Sequence, residues 1–195
     1  MTEKIDDQEL QTSNTPGYNP GEKKSVDEYA KLDANDESLN KWKASLGIGA
    51  GAASGDGPKV EFYSLSLESA SRSEPIVFNF ADLQGKKADL KKNPVIIKEG
   101  TEYNVKLDFK VNHDVISGLK YVQVVKKAGL TVDKLEEMVG SYGPSATPYE
   151  KRFPTEESPS GMLARTTYAV RSRIVDDDGN IYIDFDWSFK IAKEW

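Results

Sequence analysis

Residues 181–191 read IYIDFDWSFKI and residues 103–111 read YNVKLDFKV, and in both stretches apolar and polar residues alternate without interruption. This period of two is typical of a β-strand with one buried face. Weaker patterns predict further strands at Val60–Leu67, Ile76–Phe80, Val95–Lys98, Leu119–Lys127, Leu130–Val139 and Leu163–Val175. Asp178-Gly179 predicts a hairpin between the last two long strands. The sequence therefore predicts an all-β protein, an antiparallel β-sandwich over residues 58–195.

The first 57 residues have a different character. Residues 1–24 are polar, which predicts a disordered tail. Residues 25–46 predict two short helices: SVDE at 25–28 is a capping box, and Leu39, Trp42 and Leu46 recur at helical spacing. GIGAGAASGDG at residues 47–57 predicts a flexible linker. Helices of about ten residues are marginal alone, since isolated helices need ~12–15 residues, so this arm needs a surface to pack against.

The composition excludes several function classes. The formal net charge of −6 argues against nucleic acid as a partner. The chain has no cysteine, which excludes disulfides, thiol catalysis and cysteine zinc sites. It shows no secretory signal and no run of about 20 apolar residues that could span a bilayer. We therefore expect a cytoplasmic protein that does not anchor itself to a membrane.

The sequence offers few residues for catalysis. His113 stands beside Asp114 without an evident nucleophile nearby, and the acidic run at residues 176–178 precedes Gly179 as turn residues do. No phosphate-binding loop, dinucleotide fingerprint or metal box is present. We predict that the protein is not an enzyme and uses no cofactor and no metal. Phe185, Trp187 and Phe189 form either ordinary sandwich core or one wall of an apolar cavity between the sheets.

Several motifs together resemble one known family. They are KLDANDESLNKWKASL at 31–46, IKEGTEYNVKLDFKVNHDVISGLKYVQ at 97–123, MVGSYGP at 138–144, GMLARTTYAVRSRIVDDDG at 161–179 and FDW at 185–187. Their order and spacing over residues 25–195 are similar to those of the Rho GDP-dissociation inhibitors. The resemblance implies an immunoglobulin-like sandwich whose sheets part to admit a geranylgeranyl group. It also implies that the arm binds a GDP-bound Rho-family GTPase and blocks nucleotide release. The sandwich, in turn, would extract the GTPase from membranes.

The resemblance implies specific site residues as well. The lipid pocket would draw on Leu67, Val95, Tyr103, Val115, Leu163, Val170 and Trp187. The GTPase-binding residues would be Asp36, Glu37, Ser38, Leu39 and Trp42. The acidic pair Glu156 and Glu157 would meet the basic tail before the lipidated cysteine. The implied complex is a 1:1 heterodimer of a monomeric inhibitor with a geranylgeranylated GTPase, with only transient membrane contact.

Other interpretations remain open from the sequence. Asp36 and Glu37 also fit the N-terminal charges of a helix, and Glu156 and Glu157 also fit a solvated loop. A general prenyl-protein solubilising shuttle would need no helical arm. A carbohydrate-binding β-sandwich would present exposed aromatic residues on one face and usually carry a secretory signal.

Overall fold

The computed structural model describes residues 4–13, 28, 31, 35–45 and 57–195. In this part of the chain the strands are β1 (Val60–Glu68), β2 (Ile76–Asn79), β3 (Val95–Lys98), β4 (Glu102–Val111), β5 (Ile116–Lys127), β6 (Leu130–Tyr142), β7 (Tyr149–Glu157), β8 (Thr167–Val175) and β9 (Ile181–Ala192). The α-helices are α1 (Glu37–Ser45) and α2 (Phe80–Lys92), and a short 3-10 helix spans Asp7–Leu10. No helix of these described ranges combines the length and apolar character needed to span a membrane.

Two sheets form a sandwich, so the predicted all-β, immunoglobulin-like class is confirmed. The first sheet has the strand order β2-β1-β4-β7, and the second has the order β3-β9-β8-β5-β6. Neighbouring strands are antiparallel except for β3, which pairs parallel with β9. The prediction of a wholly antiparallel sandwich is wrong at this edge, where β3 enters the second sheet after helix α2. Strands β3 and β9 are separated in the chain by β4 to β8, so no tight hairpin constrains this pair to be antiparallel.

The alternation in β4 and β9 does fill the core. Leu107, Phe109 and Val111 are buried on β4, and Phe185, Trp187 and Ile191 are buried on β9. Aromatic rings interlock across the sandwich, with the Phe78 ring 4.9 Å from that of Trp187. Ile181 departs from the pattern, since it is the first residue of β9 and is about half exposed.

Two elements escaped the sequence patterns, and one strand begins later than predicted. Strand β7 buries only Phe153 and carries many charged residues, so its sequence shows no alternation of apolar and polar residues. Among the side chains of helix α2 that the structure describes, only Phe80 and Leu83 are buried. The helix is capped at its start by the Asn79 side chain, which accepts a hydrogen bond from Ala81 N–H. Strand β8 begins at Thr167 rather than Leu163, because residues 158–166 form a loop.

The prediction of a disordered tail over residues 1–24 is wrong for residues 4–13. This N-terminal segment lies on the outer face of the second sheet. Ile5 and Leu10 are buried there in a small apolar cluster with Val122, Val124 and Val175. Burying one aliphatic side chain contributes about 1.5–3 kcal/mol. Residues 14–24 lie outside the described ranges.

Charged groups complete this attachment. Arg171 and Arg173 both donate to the Asp7 carboxylate, at 2.8 and 2.6 Å, and both also pair with Asp184 of β9. The Lys126 ammonium lies 2.7 Å from Glu9, and with the Thr131 hydroxyl it lowers the pKa of Glu9 to about 2. Because the residues that bind the N-terminal segment come from three different strands, no local sequence pattern predicts this attachment.

Of the predicted arm, the structure describes helix α1 and the single helical residues Glu28 and Lys31. The capping box at residues 25–28 (apart from Glu28) and the linker (apart from Gly57) lie outside the described residues. The boundaries of arm, linker and sandwich therefore stay predictions.

Candidate functional site

A cleft of about 750 Å³ lies between the two sheets, along the side formed by the edge strands β7 and β6. The first sheet contributes Tyr103, Pro154, Glu156 and Glu157 to its lining. The second sheet contributes Gln123, Val125, Lys127, Val132, Asp133, Leu135, Glu137, Tyr168 and Phe189, and the loop of residues 158–166 contributes Pro159, Ser160, Leu163 and Ala164. The volume is in the ~300–1,000 Å³ range of sites that enclose small organic ligands.

Strand alternation explains why these side chains converge. On β6, Asp133, Leu135 and Glu137 line the cleft, whereas Lys134 and Glu136 point outward and bond to Gln11 and Ser13 of the N-terminal segment. A strand directs successive side chains to opposite faces. The edge of the second sheet therefore has an inner face for the cleft and an outer face for the N-terminal segment.

The apolar wall of the cleft is built by aromatic and aliphatic side chains. The rings of Tyr168 and Phe189 stack with centroids 4.8 Å apart. The Tyr168 hydroxyl donates to the Ala164 carbonyl at 3.0 Å, which ties the wall to the 158–166 loop. Val125 and Leu135 extend this surface across β5 and β6. The wall can therefore take up a long apolar group.

A buried polar network lies beneath the cleft. Trp187 Nε1–H donates to Ser172 Oγ at 3.0 Å, Ser172 Oγ lies 3.0 Å from the Tyr121 hydroxyl, and that hydroxyl donates to Gln123 Oε1 at 2.7 Å. Buried polar groups that satisfy one another fix a unique packing. Gln123 itself lines the cleft, so this network gives the apolar wall a rigid base.

The opposite wall is acidic. The Tyr103 hydroxyl donates to Glu156 Oε2 at 2.8 Å, and burial together with this carboxylate raises the pKa of Tyr103. Burial, with the nearby charges of Asp133 and Glu137, also raises the pKa of Glu156 despite the hydrogen bond from Tyr103. The cleft thus holds a carboxylate whose charge is disfavoured by its surroundings.

We predict that Glu156→Gln raises the melting temperature at neutral pH. The pKa of Glu156 is raised in the folded state, so the folded protein loses stability relative to the unfolded chain as pH rises through the carboxyl range. The neutral amide avoids that loss and can still accept from Tyr103. Below about pH 4 the wild-type carboxyl is protonated in both states, and the difference in melting temperature should vanish. A difference in melting temperature that is equal at about pH 3 and about pH 7 would contradict the charge argument.

The 158–166 loop is anchored at both ends. Ser158 Oγ accepts from Thr101 N–H and donates to the Lys98 carbonyl at 2.6 Å. The Glu99 carboxylate accepts from both Gly161 N–H and Arg165 Nε–H at 2.9 Å. Nearer the cleft, Lys127 Nζ donates to the Leu163 carbonyl at 2.6 Å. The sequence does not predict these anchoring residues, because their hydrogen-bond partners are remote in the chain.

The structure brings part of the implied lipid pocket to the cleft. Tyr103 and Leu163 line it, as do both members of the acidic pair, Glu156 and Glu157. The other five implied residues do not: Leu67, Val170 and Trp187 are buried in the core, Val95 is half-buried on β3, and Val115 is half-buried before β5, at the end of that strand remote from the cleft. Leu135, Tyr168 and Phe189 line the cleft instead. The two-residue alternation of their strands is the signal that could have found them.

The implied GTPase-binding residues cluster at the start of α1. Asp36 Oδ1 accepts hydrogen bonds from Ser38 N–H at 2.9 Å and Leu39 N–H at 3.0 Å, so Asp36 caps this helix. Glu37 and Ser38 are exposed and Leu39 is half-buried. Trp42 lies in the helix, and its side chain is outside the described part.

Comparison with known proteins gives consistent matches along the chain. The family model described as RHO protein GDP dissociation inhibitor matches residues 3–194. The chain is 47% identical over 182 residues to the Rho GDP-dissociation inhibitor of Schizosaccharomyces pombe, covering 92% of this chain and 88% of the relative. It is 42% identical over 180 residues to Rho GDP-dissociation inhibitor 1 of Homo sapiens, covering 91% and 86%. It is 40% identical over 188 residues to the Rho GDP-dissociation inhibitor of Saccharomyces cerevisiae, covering 93% of each.

Proposed function

The chain belongs to the family of Rho GDP-dissociation inhibitors, and we propose that the cleft between its two sheets holds the geranylgeranyl group of a Rho-family GTPase. Proteins of this family are regulatory inhibitors, so the chain regulates GTPases and is not an enzyme. The single observation that supports the lipid site is the cleft itself, since it is open at one side, has aromatic and aliphatic side chains on the second sheet, and carries carboxylates on both of its edge strands, β6 and β7.

The energetic reason for such a site is the cost of a lipid in water. A geranylgeranyl group has 20 carbons, and ~0.8 kcal/mol per CH₂ gives a hydration cost of up to roughly 16 kcal/mol. A cleft already formed by two stacked sheets lowers this cost without unfolding the core. The pocket would use Tyr103 and Leu163 together with Val125, Leu135 and Phe189. The buried residues Leu67, Val170 and Trp187 would support that lining from behind.

The acidic wall suits the protein part of the cargo. Glu156 and Glu157 stand at the cleft beside Asp133 and Glu137. A basic segment preceding the lipidated cysteine would pass these carboxylates as the lipid enters, and opposite charges steer association and fix its direction. This role gives a reason for keeping a carboxylate at Glu156 at some loss of stability.

The arm would contact the nucleotide-dependent surface of the same GTPase. We infer that Asp36, Glu37, Ser38, Leu39 and Trp42 on α1 bind the switch regions of the GDP-bound state and slow nucleotide release. The resulting complex would be a 1:1 heterodimer that leaves the membrane and stays in the cytoplasm. Binding both the lipid and the switch regions raises the overall affinity for the GTPase, because once one contact is made the other forms within the same complex.

The test uses the full chain and vesicles that carry a geranylgeranylated, GDP-loaded Rho-family GTPase. We expect the protein to transfer the GTPase to the soluble fraction and to slow its GDP release. A general prenyl-protein shuttle would solubilise lipidated cargo without slowing GDP release. A carbohydrate-binding sandwich would do neither. It would also present exposed aromatic residues on one face, whereas Phe185 and Trp187 of the aromatic strand β9 are buried.

We predict that Asp36→Ala weakens the inhibition of GDP release by roughly ten- to hundredfold, as loss of a charge-assisted hydrogen bond of about 1.5–3 kcal/mol would do. In the helix only Oδ1 accepts the two capping N–H groups, so a switch contact would use Oδ2. Asp36→Ser is the matched control, because serine preserves the cap but removes the charge. If Asp36→Ser inhibits as well as the wild type, Asp36 acts only as a helix cap.

A further inference from the structure

Exposed apolar side chains lie on the two loops beside the cleft. Leu163, Met162 and Leu130 are 86%, 83% and 72% exposed, more than any other large apolar residue in the described part of the chain, and Val132 beside them is half exposed. We call Leu130, Val132, Met162 and Leu163 the rim. Val132 and Leu163 also line the cleft, so the rim continues its apolar wall outward.

Two loops hold the rim in place. Leu130 and Val132 follow the tight turn between β5 and β6, in which Ala128 and Gly129 both have positive φ (50° and 80°), as two-residue hairpins require. Met162 and Leu163 belong to the 158–166 loop, which Glu99 anchors through Gly161 and Arg165. Lys127 Nζ joins the two loops by donating to the Leu163 carbonyl. The exposure of the rim is therefore a fixed feature of the fold.

We propose that the rim enters the headgroup region of a bilayer, so that a lipid passes from the membrane into the cleft without crossing water. This inference rests on the proposed function. An isoprenoid that left the bilayer before reaching the cleft would expose its whole apolar surface, so a productive encounter needs the mouth of the cleft to touch the membrane. Contiguous exposed apolar side chains on a soluble protein mark such contact surfaces.

The charges near the rim decide which kind of contact it makes. The cleft behind it is lined by four carboxylates, those of Asp133, Glu137, Glu156 and Glu157, against one ammonium, that of Lys127, and the whole chain carries a formal net charge of −6. Anionic headgroups would be repelled by this field. The rim would therefore bind by insertion of apolar side chains, which requires neither anionic lipid nor low salt.

The experiment compares two double variants of the full chain. Leu130→Ser with Met162→Ser removes two rim side chains that do not line the cleft. Val77→Ser with Ile181→Ser is the matched control, because these residues are about half exposed and lie away from the mouth. The first measurement is the rate of GTPase extraction from phosphatidylcholine vesicles. The second is the equilibrium affinity for a soluble geranylgeranylated peptide.

We expect the rim variant to extract the GTPase about tenfold more slowly, with its peptide affinity within about twofold of the wild type. The control variant should match the wild type in both measurements, and the defect should persist between about 50 and 500 mM salt. Equal extraction rates would overturn the proposal. A third measurement is the affinity for the prenylated GTPase in the absence of vesicles. A rim variant with a weaker affinity there would also overturn the proposal, since the rim would then contact the partner protein. A wild-type chain that fails to bind the peptide would instead refute the lipid site itself.

Discussion

Replacing Leu135 by aspartate should abolish lipid-dependent binding while leaving the sandwich folded. Leu135 lines the cleft on β6, between Asp133 and Glu137 of the same wall. A carboxylate there would lose its hydration when the lipid enters and would be repelled by its neighbours. Leaving a charge without a partner in an apolar site costs at least about 3 kcal/mol, which corresponds to more than a hundredfold in Kd.

The same substitution should spare the fold, because Leu135 is only half-buried on an edge strand and its carboxylate can reach water when the cleft is empty. Met138→Asp is the matched control. Met138 lies on the same strand, is half exposed and is not part of the cleft lining, so it introduces the same charge without entering the site. The measurements are affinity for a geranylgeranylated peptide and the melting temperature. A Leu135→Asp variant that binds the peptide as tightly as Met138→Asp would remove this cleft as the lipid site.

The sequence predicts well where one face of an element is buried and poorly where contacts come from far along the chain. Strands β4 and β9 each present an unbroken apolar face, so alternation alone identified them. Strand β7 has one buried residue, Phe153, and a proline after it, so its pairing with β4 decides its structure. The attachment of residues 4–13 depends on Ile5 and Leu10 finding an apolar cluster on β5 and β8.

The candidate site shows the same division. Four of the residues that the resemblance implies, Tyr103, Leu163, Glu156 and Glu157, line one cleft in the structure, and their roles toward a lipid and a basic tail stay predictions. The resemblance also named core residues such as Val170, because a motif match does not distinguish the surface of a pocket from the layer behind it. That distinction depends on how the edge strands β6 and β7 separate, which is a property of the two sheets together.

Several features that lower stability are gathered around this one cleft. Glu156 is half-buried beside other carboxylates, the rim exposes apolar side chains, and the edges of both sheets meet there. Away from the cleft, by contrast, the cluster of Asp7, Arg171, Arg173 and Asp184 pairs its opposite charges. Local departures from stable packing are expected at functional sites. Their concentration at the cleft supports it as the site of function independently of any motif.

Val170→Asp should unfold the sandwich rather than disable the pocket selectively. Val170 is 1% exposed on β8, where its register partners are Val125 of β5 and Trp187 of β9. A carboxylate buried at this position costs several kcal/mol, which is comparable with the ~5–15 kcal/mol that stabilises a typical domain. Burial raises the pKa of such a carboxyl, so the loss of stability should grow as pH rises above about 4.

Val170→Thr separates a core role from a lipid contact, because threonine keeps the shape of valine and leaves most of the fold stability in place. If Val170 only supports the cleft from behind, Val170→Thr should lower the melting temperature while leaving the affinity for a geranylgeranylated peptide unchanged. Circular dichroism of Val170→Asp should show loss of the cooperative transition at neutral pH. A Val170→Asp protein that melts like the wild type but no longer binds lipid would instead place this side chain on the surface of the pocket.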